Sequence, residues 1–177
     1  MTKPTIRDKT ELLESLLAER ILVLDGAMGT QIQAFAFDEQ KVRGERFAAH
    51  HKDLKNFADI LCLTHPDAIR EIHRRYFAAG ADVVETNTFG ASPLGMEEFD
   101  LPLVLVREIN HAAVSLACQA RDDFNAKTPD RPRFVAGSIG PTTKQTAIST
   151  QVDDASYRGV TFDQMADSYY SQIAALV

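Results

Sequence analysis

Two short stretches place polar side chains where chemistry could use them. Asp25-Gly26-Ala27-Met28-Gly29-Thr30 sets a carboxylate and two glycines directly after an apolar run. Backbone N–H groups at such a turn could hold a small carboxylate or phosphate. A plain strand-to-helix turn accounts for the same residues. The spacing is not Gly-x-Gly-x-x-Gly and no Gly-Lys-Ser/Thr follows, so the nucleotide-binding motifs are excluded. Glu85-Thr86-Asn87-Thr88 ends a second apolar run with alternating polar side chains, so two of them share a face. There they either line a ligand site or satisfy the turn backbone.

Other chemistries fail on spacing. The chain has 5 His and 2 Cys, but His50 and His51 are adjacent and neither His-Glu-x-x-His nor Cys-x-x-Cys occurs. Cys62 and Cys118 read as inert thiols in apolar surroundings, and His73 and His111 as helix-flank imidazoles. Gly137-Ser138-Ile139-Gly140 is one residue short of a nucleophile elbow, which removes a serine hydrolase.

Positioning these residues falls to alternating strands and helices. Leu12, Leu13, Leu16 and Leu17 form one stripe of a helix over 10–20, and Ile21–Leu24 reads as a strand buried on both faces. Residues 31–56 read as a loop with a short helix around 45–50. A strand over Asp59–Leu63 then leads into a helix from Pro66 to Ala79, with Pro in the first turn and Gly80 at the left-handed end. Strands over 82–86 and 133–138 flank a long helix that carries Val106, Ile109, Ala113, Leu116, Ala120 and Phe124 on one face. Thr161 and Gln164 form a capping box for a last helix whose apolar stripe continues to Val177. The expected architecture is α/β, with four parallel strands each followed by helical material: the truncated first half of a (β/α)8 TIM barrel, or a small doubly wound sheet. In both, ligands sit beyond the carboxyl ends of the strands.

Composition narrows the partners. At 177 residues with 45% hydrophobic and 25% charged content, one globular domain is expected. The net charge of -6 opposes nucleic-acid binding, and no apolar run is long enough to span a membrane. The amino terminus lacks a secretory pattern and the thiols suit a reducing compartment, so a cytoplasmic location is expected.

Taken together, Ile21–Gln31, Arg43-Gly44-Glu45-Arg46-Phe47, Gly80–Phe89 and Val135–Thr142 resemble the start of the homocysteine-binding domain of cobalamin-dependent methionine synthases. The match spans nearly the whole chain, and the Arg43–Phe47 segment sets it apart from the betaine-homocysteine methyltransferases. The resemblance implies that residues 1–177 are the first four βα units of a homocysteine-binding barrel. It implies a methyltransferase activity in which methylcobalamin methylates homocysteine to methionine, with the substrate thiolate held on zinc. A free thiol, with a pKa of about 8.5, is ionised only to a few per cent at neutral pH without such help.

The same resemblance makes Asp25 and Gly26 contacts to the amino-acid end of homocysteine, with Met28, Thr86 and Thr88 lining the mouth. Asp25 would accept from the substrate ammonium. The family's zinc ligands are cysteines of later strands, including a Gly-Gly-Cys-Cys-Gly run that this sequence lacks, so neither zinc nor cobalamin is expected on this chain alone. Expected partners are homocysteine and the folate, cobalamin and reactivation modules of a parent enzyme. The alternative is a non-catalytic half barrel that associates through an open sheet edge.

Overall fold

Apolar runs separated by helical crossovers build a small parallel sheet. The computed structural model describes residues 6–147, 153 and 156–177. Strand β1 (Val83–Glu85) pairs in parallel with β2 (Phe134–Ala136), with Val84 opposite Val135. Leu24 makes a parallel bridge to Val83 on the other side of β1. The three segments therefore lie side by side in chain order and point the same way, which is how a βα barrel opens.

Around them run α1 (Ile6–Glu19), α2 (Met28–Gln33), α3 (Glu39–Arg43), α4 (Leu61–Thr64), α5 (Pro66–Ala79), α6 (Pro93–Glu98), α7 (Val104–Lys127) and α8 (Phe162–Leu176). Helix α5 starts on Pro66 and ends at Gly80, whose φ of 108° is the left-handed conformation glycine tolerates. Helices α5 and α7 cover one face of the sheet through Phe77, Ala81, Val84, Ala117 and Ala120. A larger core joins Leu54, Phe57, Ile60, Leu61, Ile69, Ile72 and Ile109 beneath the site-bearing loops. The Thr161–Gln164 capping box of α8 forms as its sequence spacing requires. No helix among the described residues is long and apolar enough to cross a membrane.

The structure corrects several expectations. Four strands are not present: among the described residues there are two, plus the Leu24 bridge. The Asp59–Leu63 segment is helical, a 3-10 turn over Ala58–Ile60 running into α4. Its short apolar run fits a strand and a buried helix equally by hydropathy. What decides is burial at helical spacing, with Leu54, Phe57, Ile60 and Leu61 all in the core. The Ile21–Leu24 run is not buried on both faces; Ile21, Val23 and Leu24 are exposed, and among the described residues it pairs with β1 alone. Helix appears earlier than expected, at α2 and α3, while 45–49 forms turns. His73 is fully buried, with no hydrogen-bond partner for either ring nitrogen among the described residues, rather than at a flank.

One buried carboxylate ties the three sheet segments together. Asp82 accepts from Arg20 Nη1 and Nη2, both at 2.9 Å, and from the Val23 N–H at 2.9 Å. Arg131 Nε adds a fourth donor at 3.2 Å. The Asp82 main chain donates to the Val23 carbonyl and accepts from the Phe134 N–H, each at 2.8 Å. The Arg20 guanidinium, helped by Val23 and Arg131, holds the Asp82 carboxyl well below the usual carboxylate range. Such a group contributes stability above its unfolded pKa of about 4 and loses it as pH falls further. Asp82→Asn is expected to lower the unfolding free energy at pH 7 by about 2–3 kcal/mol. Urea titration should show that difference shrinking below about pH 4.

Candidate functional site

Beyond the carboxyl ends of the Leu24 segment and β1 lies a cleft of about 440 Å³. One wall is the Asp25–Gly29 turn, which enters α2 at Met28; the other is the end of β1 with Phe89. Asp25 sits half-buried on this wall, both carboxylate oxygens 3.1 Å from the Glu85 N–H. Burial pushes its carboxyl up to about 6, against the lowering pull of that N–H and with a further raise from the neighbouring Glu85 charge. The turn itself is held from α5, where the Tyr76 hydroxyl donates to the Ala27 carbonyl at 3.3 Å.

The β1 end is fixed by a chain of hydroxyl contacts. Thr88 Oγ1 donates to the Ser138 carbonyl at 2.8 Å, so in the 2.7 Å pair between Thr86 and Thr88 the Thr86 hydroxyl is the donor. Thr86 Oγ1 in turn accepts from the Ser138 N–H at 3.0 Å. These bonds hold the ends of β1 and β2 in register. They also place Thr86 on the cleft wall while Thr88 is buried behind it. Ser138 Oγ donates to Glu85 at 3.3 Å and is not poised as a nucleophile.

The structure thus brings Asp25, Gly26, Met28 and Thr86 to one cleft, with Thr88 bracing it. It adds Asp59, which the strand assignment hid: a strand beginning at Asp59 would set that residue at the far, amino-terminal end. The helical turn instead carries it to the cleft, where Oδ1 accepts from the Gly90 N–H at 2.9 Å. Burial pushes the Asp59 carboxyl up to about 6 as well. A second tie, Asn87 Nδ2 to the Ala58 carbonyl at 2.9 Å, locks the 3-10 turn to the loop after β1. That loop carries Phe89 against Gly140, where an added Cβ would lie 2.5 Å from the ring, so the approach requires glycine.

Metal chemistry finds no foothold in these residues. No group of three or more His, Cys, Asp or Glu among the described residues could hold an ion. Cys62 is buried in α4, its thiol pushed up to about 12 chiefly by burial and next by the Asp59 charge, the reverse of what a thiolate ligand needs.

Comparison with known proteins bears on the family and the fold. Residues 22–177 match the family model for homocysteine S-methyltransferase. Crystal structures of the homocysteine methyltransferase MmuM from Escherichia coli superpose on the chain. The oxidized form does so with a TM-score of 0.67 at 25% identity, covering 93% of this chain and 52% of that one. The metallated form gives 0.68 at 23% identity with the same coverage. The chain spans about half the length of the solved structures it matches.

The raised Asp25 carboxyl makes a signed prediction. A folded-state pKa above the unfolded value means that the folded protein binds the extra proton, so this group's contribution to stability falls as pH rises from about 4 to about 6. Asp25→Asn removes that dependence. Relative to wild type, the variant should therefore gain stability on going from pH 4 to pH 7 in chemical unfolding, and Asp25 should titrate near 6 by carboxyl NMR.

Proposed function

The chain belongs to the homocysteine S-methyltransferase family, and from that premise we propose that residues 1–177 form the opening part of a homocysteine-binding barrel and hold the amino-acid end of homocysteine. The observation that carries the reading is the Asp25 carboxylate, half-buried in the cleft and met among the described residues by backbone N–H groups and no cation. A desolvated carboxylate gains most from a cation delivered by the ligand, and the substrate ammonium is that cation. Gly26 leaves room beside it, and Met28 and Thr86 give the cleft its apolar and polar walls.

Within the family, the Arg43–Phe47 segment favours a cobalamin-dependent methionine synthase as the parent, with folate, cobalamin and reactivation modules as its companions. Arg43 pairs with Glu39 and Arg46 with Glu108, so the segment packs as a folded unit between α3 and α7. The described residues do not fit a zinc site, because no group of three or more His, Cys, Asp or Glu among them could hold an ion and the Cys62 thiol is buried. In this reading zinc and cobalamin belong to parts of the parent enzyme outside these residues, and the chain's own contribution is binding and orientation.

Exposed Ile21, Val23 and Leu24 favour a second reading, association through the open sheet edge. A defined dimer in sedimentation would support it.

Isothermal titration of the chain with homocysteine tests the main reading. One site is expected, with affinity falling as pH drops below about 6 because Asp25 becomes neutral. Asp25→Asn should weaken binding about tenfold or more at pH 7.5. Unchanged binding in that variant, or tight stoichiometric zinc on the purified chain by metal analysis, would contradict the reading.

A further inference from the structure

The cleft has a second acid that the homocysteine reading leaves unused. Asp59 is only 6% exposed, yet it lines the same cleft as Asp25. Its Oδ1 takes the Gly90 N–H at 2.9 Å, and no Lys, Arg or His side chain among the described residues pairs with the carboxylate. The nearby Ala91 N–H adds a lowering influence on the carboxyl but is itself bonded to the Thr88 carbonyl at 3.2 Å. A carboxylate so far out of water normally has a cation or several donors against it. Here the protein supplies backbone amides, those of Gly90, Asp59 and Ala91, and no cation.

The rest of the cleft sharpens the point. Among the described residues lining it there are three carboxylates, Asp25, Asp59 and Glu85, and no Lys, Arg or His. Glu85 takes the Ser138 hydroxyl. Nothing basic in the wall compensates Asp25 or Asp59, so the compensating charge has to come with the ligand. A wall of this composition repels a ligand that presents only an anion and favours one that presents an ammonium.

We propose that Asp59 is a specificity-determining residue of the cleft, its carboxylate, which no cation of the wall compensates, giving the ligand's ammonium a second negative contact beside Asp25. This rests on the cleft being the amino-acid site. The two acids arrive by independent routes, Asp25 on the turn before α2 and Asp59 on the 3-10 turn before α4. Together they select amino acids over otherwise identical thiol acids.

The test compares homocysteine with 4-mercaptobutanoate, the same molecule without its amino group, by titration calorimetry on the wild-type chain, Asp59→Asn and Asp25→Asn. Asparagine keeps the acceptor for the Gly90 N–H and removes the charge. In Asp59→Asn, homocysteine affinity is expected to fall about tenfold while 4-mercaptobutanoate affinity stays level or rises. Homocysteine binding that weakens in Asp25→Asn but stays within twofold in Asp59→Asn overturns this inference and leaves the cleft assignment standing; homocysteine binding insensitive to both variants overturns both. A readout free of folding effects is the Asp59 carboxyl 13C shift in the wild-type chain. It should move on adding homocysteine and stay still with 4-mercaptobutanoate, and a shift that ignores homocysteine overturns the inference.

Discussion

Asp82 is the constraint on which the sheet depends. Its side chain and main chain together touch Val23, Phe134, Arg20 and Arg131, so the Leu24 segment, β1 and β2 meet at one residue. Hydrogen bonding along such short strands is too sparse to set their register alone. The charge-assisted bonds at Asp82 set it, and the threonine relay between Thr86, Thr88 and Ser138 repeats the tie at the opposite ends of β1 and β2. With both ends fixed, the turn at Asp25 and the loop at Phe89 are held across from each other.

The same residue type then does opposite work at the two ends. At the amino-terminal end Asp82 is saturated with cations and donors and stays ionised. At the carboxyl-terminal end Asp25 and Asp59 meet backbone amides and no cation, and both carboxyls are pushed up by burial. Saturated carboxylates hold structure; those without a cation are suited to a ligand that brings its own charge. The sheet is thereby polarised into a structural end and a binding end.

Much of this was legible in the sequence because it rests on local rules. Pro66 and Gly80 bracket α5, Thr161 and Gln164 start α8, and the stripe from Val106 to Phe124 lies within α7. The Asp25–Thr30 and Glu85–Thr88 turns stand at strand ends as their composition required. What was hidden depends on tertiary packing. The run Ile60–Leu63 carries no period long enough to separate strand from helix, so only its fit among Leu54, Phe57 and Ile69 reveals a helix. Asp59 went unseen as a site residue for the same reason. The Asp82 cluster joins positions 20, 23, 82 and 131, a spacing that no local pattern announces.

The account stands on the chain cradling the amino-acid end of its ligand while leaving sulfur to groups it does not supply. A crystal structure of the chain soaked with homocysteine addresses this most directly. The ammonium should lie within hydrogen-bonding distance of the Asp25 carboxylate, with the sulfur directed away from Cys62 and Cys118. Homocysteine seated instead in the separate cavity that Leu12, Leu13, Phe134 and Ala136 line between α1 and β2, or its sulfur engaged by either cysteine, would contradict it.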